Sequence, residues 1–105
     1  MDIEIPVKFK GKEAFYEKMI RLFVKDLPDT WPSFDAMMGN TEEMKTFVHK
    51  TKGTAGNLDI TEIYQCAAQF ETSLRNDEPD ADLYQMFVDT CTVLKRSVQT
   101  QENGA

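Results

Sequence analysis

Apolar residues along the chain recur at two different periods. In residues 1–10, Ile3, Ile5, Val7 and Phe9 alternate loosely with polar positions, which predicts an extended leader that Pro6 restricts to an edge or a linker. From Gly11 the spacing lengthens. Phe15, Met19, Leu22, Phe23 and Leu27 recur three and four apart, with lysines, glutamates and an arginine between them, as in an amphipathic helix. Pro28 and Pro32 remove backbone donors and clash with a preceding turn, so this first helix should kink or split near Asp26–Leu27. A shorter helix then runs to Met38, burying part of Trp31, Phe34, Met37 and Met38, and Gly39 offers a left-handed stop.

Three further helices follow from start signals and periodicity. Asn40 with Glu43, and Asp59 with Glu62, each have capping-box spacing. The first of these helices continues to about Leu58. The next buries Ile63, Cys66, Ala67, Phe70 and Leu74. The connection between them is too short for anything but antiparallel neighbours. After the polar turn Arg75–Asp80, with Pro79 suited to a first helical turn, the last helix carries Leu83, Phe87, Cys91, Leu94 and Val98. Lys95 and Arg96 complement its C-terminal end, and residues 101–105 read as a frayed polar tail. The expectation is an all-α protein, an antiparallel up-down four-helix bundle spanning residues 11–100.

Composition narrows the class. One hundred and five residues suffice for a single core, and 41% hydrophobic with 29% charged residues suits a globular domain. A net charge of −6 argues against nucleic-acid binding, which requires a basic face. No apolar run is long enough for a membrane span and no secretory signal is recognisable, so a cytoplasmic location is expected. Cys66 and Cys91 lie within apolar patterns and read as core fillers, not as a disulfide framework.

The candidate chemistry lies on the third helix, at the only histidine. Summing about 100° per residue places Met44, Phe47, Val48, Thr51, Ala55 and Leu58 within roughly 50° of one direction, with His49 roughly 140° away. His49 is therefore a solvent-facing residue, either passive or presented. Lys45, Lys52, Gly53 and Gly56 share its side. Helical side chains lean toward the N-terminus, so residue i+4 normally covers residue i, and here i+4 is Gly53. Glycine within a helix costs about 1 kcal/mol relative to alanine. Two glycines beside one imidazole suggest a site that another protein must approach, and Lys45 and Lys52 would attract a phosphoryl group carrying about two negative charges.

The run from His49 to Leu58, HKTKGTAGNL, resembles the HxxKG signature of histidine-containing phosphotransfer domains of two-component phosphorelays. Ala67-Ala68-Gln69-Phe70-Glu71 is similar to the family's small-residue, apolar, Glu/Gln ending. The resemblance implies a phosphorelay carrier and no enzyme. His49 would accept a phosphoryl group from the aspartyl phosphate of one receiver domain and pass it to another, with Lys52 as electrostatic partner and Gly53 as the access gap. Glu71 stands where the family frequently has glutamine, and the expectation is that it accepts a hydrogen bond from Nδ1–H, directly or through water, leaving Nε2 as nucleophile. The family often has an apolar residue at the position of Thr51 and a glycine at that of Asp59. Thr51 can pack by its methyl and Asp59 can cap.

With neither a P-loop nor a metal-ligand cluster, the chain needs no cofactor of its own, and Mg²⁺ would come with the receiver domain. Expected partners are receiver domains of response regulators or of a hybrid sensor histidine kinase, of which this would be the C-terminal domain; the leader and tail slightly favour an excised domain. The chain is expected to be monomeric. The competing reading is a non-catalytic helical interaction module.

Overall fold

The computed structural model describes residues 5–103, and all regular structure among them is helical. A 3-10 turn at Val7–Phe9 precedes five α-helices: α1 Glu13–Lys25, α2 Phe34–Met38, α3 Thr41–Asn57, α4 Thr61–Arg75 and α5 Ala81–Asn103. Of the leader expected to be extended, Pro6 and Lys10 do have extended backbone angles, but Val7–Phe9 close a turn that lays the Phe9 ring 4.9 Å from that of Tyr16. Residues 1–4 of that expectation lie outside the described residues.

The first helix ends where the prolines require, with Asp26 as its C-cap. Its buried face matches the expected stripe only in part, at Phe23, Leu27 and the partly buried Met19. Tyr16, Ile20, Phe23, Val24 and Leu27 are buried, whereas Phe15 and Leu22 are exposed. The apolar band of α1 is wider than its neighbours can cover, so two overlapping stripes fit the pattern and packing selects one. Lys95 serves this end of the bundle as well. Its ammonium reaches from α5 to the Leu27 carbonyl and pairs with Asp29 Oδ1 at 3.0 Å, so it supports the end of α1 instead of its own helix.

The caps differ from the expectation in instructive ways. Ser33 caps α2, its hydroxyl accepting from Ala36 N–H at 3.1 Å. Gly39 ends that helix in right-handed geometry (φ −77°), and Asn40 precedes α3 without a side-chain bond, so neither residue plays its expected part. Between α3 and α4 the N-cap is Ile60, not Asp59. Asp59 instead takes φ 56°, the left-handed region that a glycine would occupy at no steric cost, and its carboxylate pairs with Lys8 Nζ at 3.1 Å. Asp80 caps α5 by accepting from Leu83 N–H at 2.9 Å, so Pro79 lies one residue outside the helix. The last helix continues to Asn103, past the point where fraying was expected; Gly104 and Ala105 lie outside the described residues.

Packing follows from these elements. Gly56 lies against Tyr64 and His49 against Glu71, so α3 and α4 run antiparallel, as the tight turn between them demands. Phe70 of α4 packs on Tyr84 and Phe87 of α5, and Trp31 and Phe47 set their rings edge-on around Phe87. Val48, Ala55, Ile63, Ala67, Phe70, Phe87 and Cys91 are fully buried at the centre. Thr51 joins them by donating its hydroxyl to the Phe47 carbonyl at 2.8 Å, which satisfies the one polar atom it brings inside. Cys66 and Cys91 are free thiols; burial pushes Cys91 up to about 12, so it stays a neutral apolar filler. Among the described residues no helix is long and apolar enough to cross a membrane.

Because the aromatic cluster closes on Phe87, Phe87→Ala should cost about 3–5 kcal/mol in urea denaturation at an unchanged m-value. A loss under about 1 kcal/mol would place the structural centre elsewhere.

Candidate functional site

α3 carries one buried stripe, Val48, Thr51 and Ala55, with Met44 and Phe47 packed against the core at its edge. His49 follows Val48 by one residue, so its side chain leaves on the solvent side and is 64% exposed. Across the groove, α4 buries Glu71 between Phe70 and Leu74, leaving its side chain 4% exposed. A carboxylate so placed must find compensating partners.

It finds three. Glu71 Oε2 lies 2.8 Å from His49 Nδ1, and Oε1 accepts from Lys52 Nζ at 2.6 Å. Arg75, one turn further along α4, donates from Nη2 to Oε2 at a longer 3.4 Å. Since an ionised carboxylate only accepts, the 2.8 Å contact requires a proton on Nδ1, and in the neutral ring the lone pair is then on Nε2, directed away from Glu71. Burial alone would push the Glu71 carboxyl up. The hydrogen bonds from Lys52 and His49, aided by the charges of Lys52 and Arg75, outweigh it and hold the group below the ordinary value.

The other sequence candidates fall on either side of this centre. A Cβ added at Gly53 would meet nothing within 4 Å, so the turn beside the imidazole is open. Gly56 is not open in that way, because a Cβ there would come within 3.3 Å of the Tyr64 ring. Lys45 lies one turn before His49 and pairs with Glu42 at 3.0 Å. Lys52, which the sequence pointed toward an incoming phosphoryl group, is only 24% exposed and its ammonium is engaged by Glu71. Arg75 was not among the candidates, since it begins a polar turn in the sequence. Its i+4 spacing from Glu71 is the signal that could have found it. Among the described residues no group of three or more His, Cys, Asp or Glu side chains could hold a metal ion.

The model of the Hpt domain family matches residues 18–103. The chain therefore belongs to the Hpt domain family, whose members are phosphotransfer carriers of two-component signalling that interact with receiver domains and have no ATP-binding kinase activity. Comparisons with curated proteins and with solved structures return no match.

The lowered Glu71 value sets a pH window. Its stabilising contribution is complete above the ordinary 4.5 and is lost as the pH falls through the lower folded value. Glu71→Gln should therefore be less stable than wild type at pH 7, with the difference shrinking through that acid range in urea titrations at several pH values. A difference constant down to pH 2 would contradict the ionised, paired carboxylate.

Proposed function

We propose that His49 is the phosphoacceptor of a relay, taking a phosphoryl group from the aspartyl phosphate of one receiver domain and delivering it to the aspartate of another. The observation that carries this reading is the contact between Nδ1 and a buried carboxylate on a ring that is otherwise exposed. It fixes the tautomer and the ring plane and leaves the second nitrogen free at the surface.

In the forward step the Nε2 lone pair forms an N–P bond as the P–O bond to the receiver aspartate breaks, and the aspartate leaves as a carboxylate. The ring keeps its Nδ1 proton and gains positive charge, which the Glu71 carboxylate stabilises at 2.8 Å. Lys52 limits the negative field of that same carboxylate, so the arriving phosphoryl group does not meet an uncompensated charge. The reverse step runs through the same geometry with a second aspartate as acceptor. Phosphoryl transfer asks for in-line positioning and charge neutralisation, which a transient docked pair can provide between them. Mg²⁺ and the aspartate belong to the receiver in this scheme, and Gly53 leaves room for the receiver to come close.

Incubation with a phosphorylated receiver domain and Mg²⁺ should transfer acid-labile phosphate to the wild-type chain and none to His49→Gln, whose fold circular dichroism should find intact. Label retained on His49→Gln would refute the assignment, and no label on wild type would favour a plain interaction module. ATP alone should label neither. Gly53→Ala separates access from stability. It should raise stability by up to about 1 kcal/mol, since alanine suits a helix better than glycine and meets no neighbour, yet slow transfer from the receiver. Unimpaired transfer would show that the opening has no role.

A further inference from the structure

The imidazole and its partners occupy α3 and α4, and a second groove lies between α1 and α5, with a volume of about 550 Å³. From α1 it is lined by Lys18, Arg21, Leu22 and Lys25, which share one helical face at i, i+3, i+4 and i+7. From α5 come Lys95 and Gln99. Among the described lining residues four are basic and one, Asp29, is acidic, a local charge of +3 in a chain whose net charge is −6. Glu13 and Glu17, the acids of α1 itself, lie outside the groove. Lys95 is fixed in place: its ammonium donates to the Leu27 carbonyl and pairs with Asp29 at 3.0 Å, which leaves it one further N–H. Among the described residues Lys18 and Lys25 have no ion-pair partner, and Leu22 between them is 49% exposed.

We propose that this groove docks an acidic peptide segment in which an apolar side chain stands between two carboxylates. The order of side chains along α1 carries the proposal: cation, apolar residue, cation. Lys18 and Lys25 are seven residues apart, about 10 Å along the helix. In an extended peptide, alternate residues face the same way and lie about 7 Å apart, so two acids with an apolar residue midway span about 13 Å. Flexible lysine stems cover the difference, and Leu22 meets the central side chain. Cations spread over two turns do not converge on one phosphate, which argues for a ligand with separated charges. A planar lipid surface does not enter a concave groove, and the overall negative charge opposes both an anionic bilayer and a nucleic acid. The complementarity is local, so the segment is recognised by a chain that repels acidic partners elsewhere. It also gives a use to the part of the α1 apolar band that the core leaves uncovered at Leu22. The proposal does not depend on the role of His49.

The test titrates the full ¹⁵N-labelled chain at low salt with a fluorescent peptide containing Glu-Ser-Leu-Ser-Glu. Amide shifts should concentrate at Lys18, Leu22, Lys25 and Gln99 and leave His49 and Glu71 unmoved, and the affinity should fall as salt rises. The double variant Lys18→Gln, Lys25→Gln should bind roughly fivefold or more weakly, the size expected for losing two exposed charge pairs. Leu22→Ala should weaken the same peptide but leave unchanged the binding of a control in which serine replaces the leucine. All these side chains are exposed, so circular dichroism should find the variants folded. Absence of binding by the peptide, shifts centred on other residues, or equal affinity in the double variant would each overturn the proposal. So would binding of inorganic pyrophosphate in the groove as tight as that of the peptide, or sedimentation with phosphatidylserine vesicles that depends on Lys18 and Lys25. Transfer from a phosphorylated receiver domain should run at the wild-type rate in the double variant; a slower rate would assign the groove to receiver docking and contradict a separate acidic ligand.

Discussion

A carboxylate with 4% of its side chain exposed cannot stay ionised without partners, and at Glu71 the two nearest come from the helix that carries the histidine. Lys52 and His49 reach it from α3 across the groove, and Arg75 approaches along α4. The same group joins two helices, orients an imidazole and keeps a lysine in place. Stability and chemistry are thereby coupled at one residue. Everything that fixes the spacing of α3 and α4 also sets the His49–Glu71 distance: the turn through Asp59, the contact of Gly56 with Tyr64, and the burial of Val48, Ala55, Ile63 and Phe70.

The helix order and the exposure of His49 were legible in the sequence because they depend on local periodicity, which one helix states without reference to others. Val48, Thr51 and Ala55 are buried on α3, Leu58 at its C-cap, and Ile63, Cys66, Ala67, Phe70 and Leu74 on α4, as the spacing says. The face of α1 was not legible, since Phe15 and Leu22 fit a helical stripe as well as Tyr16 and Ile20 do, and only the neighbours decide. Caps were misread for a related reason. Asx and capping-box spacings mark a residue able to cap, but Asp59 is diverted into a left-handed turn that closes the α3–α4 connection in three residues.

The site shows the same division. The positions of His49, Lys52 and Gly53 on one helix could be summed from turn angles. The pairing of Lys52 with Glu71 could not, because it depends on register between two helices. Sequence alone therefore assigned Lys52 to the incoming group, while the folded chain commits it to a buried carboxylate 2.6 Å away. Arg75 went unnoticed because its relevance exists only once Glu71 is placed beside His49. Gly53 and Gly56 look alike in the sequence and differ in the fold, one facing open space and the other an aromatic ring.

The account depends most on the claim that Glu71 occupies Nδ1 and so leaves Nε2 to react. Phosphorus–nitrogen coupling in the NMR spectrum of the ¹⁵N-labelled, phosphorylated chain reads the bonded nitrogen directly. The account predicts coupling of phosphorus to Nε2 of His49, with Nδ1 still carrying its proton. Phosphorus bonded to Nδ1 would contradict it.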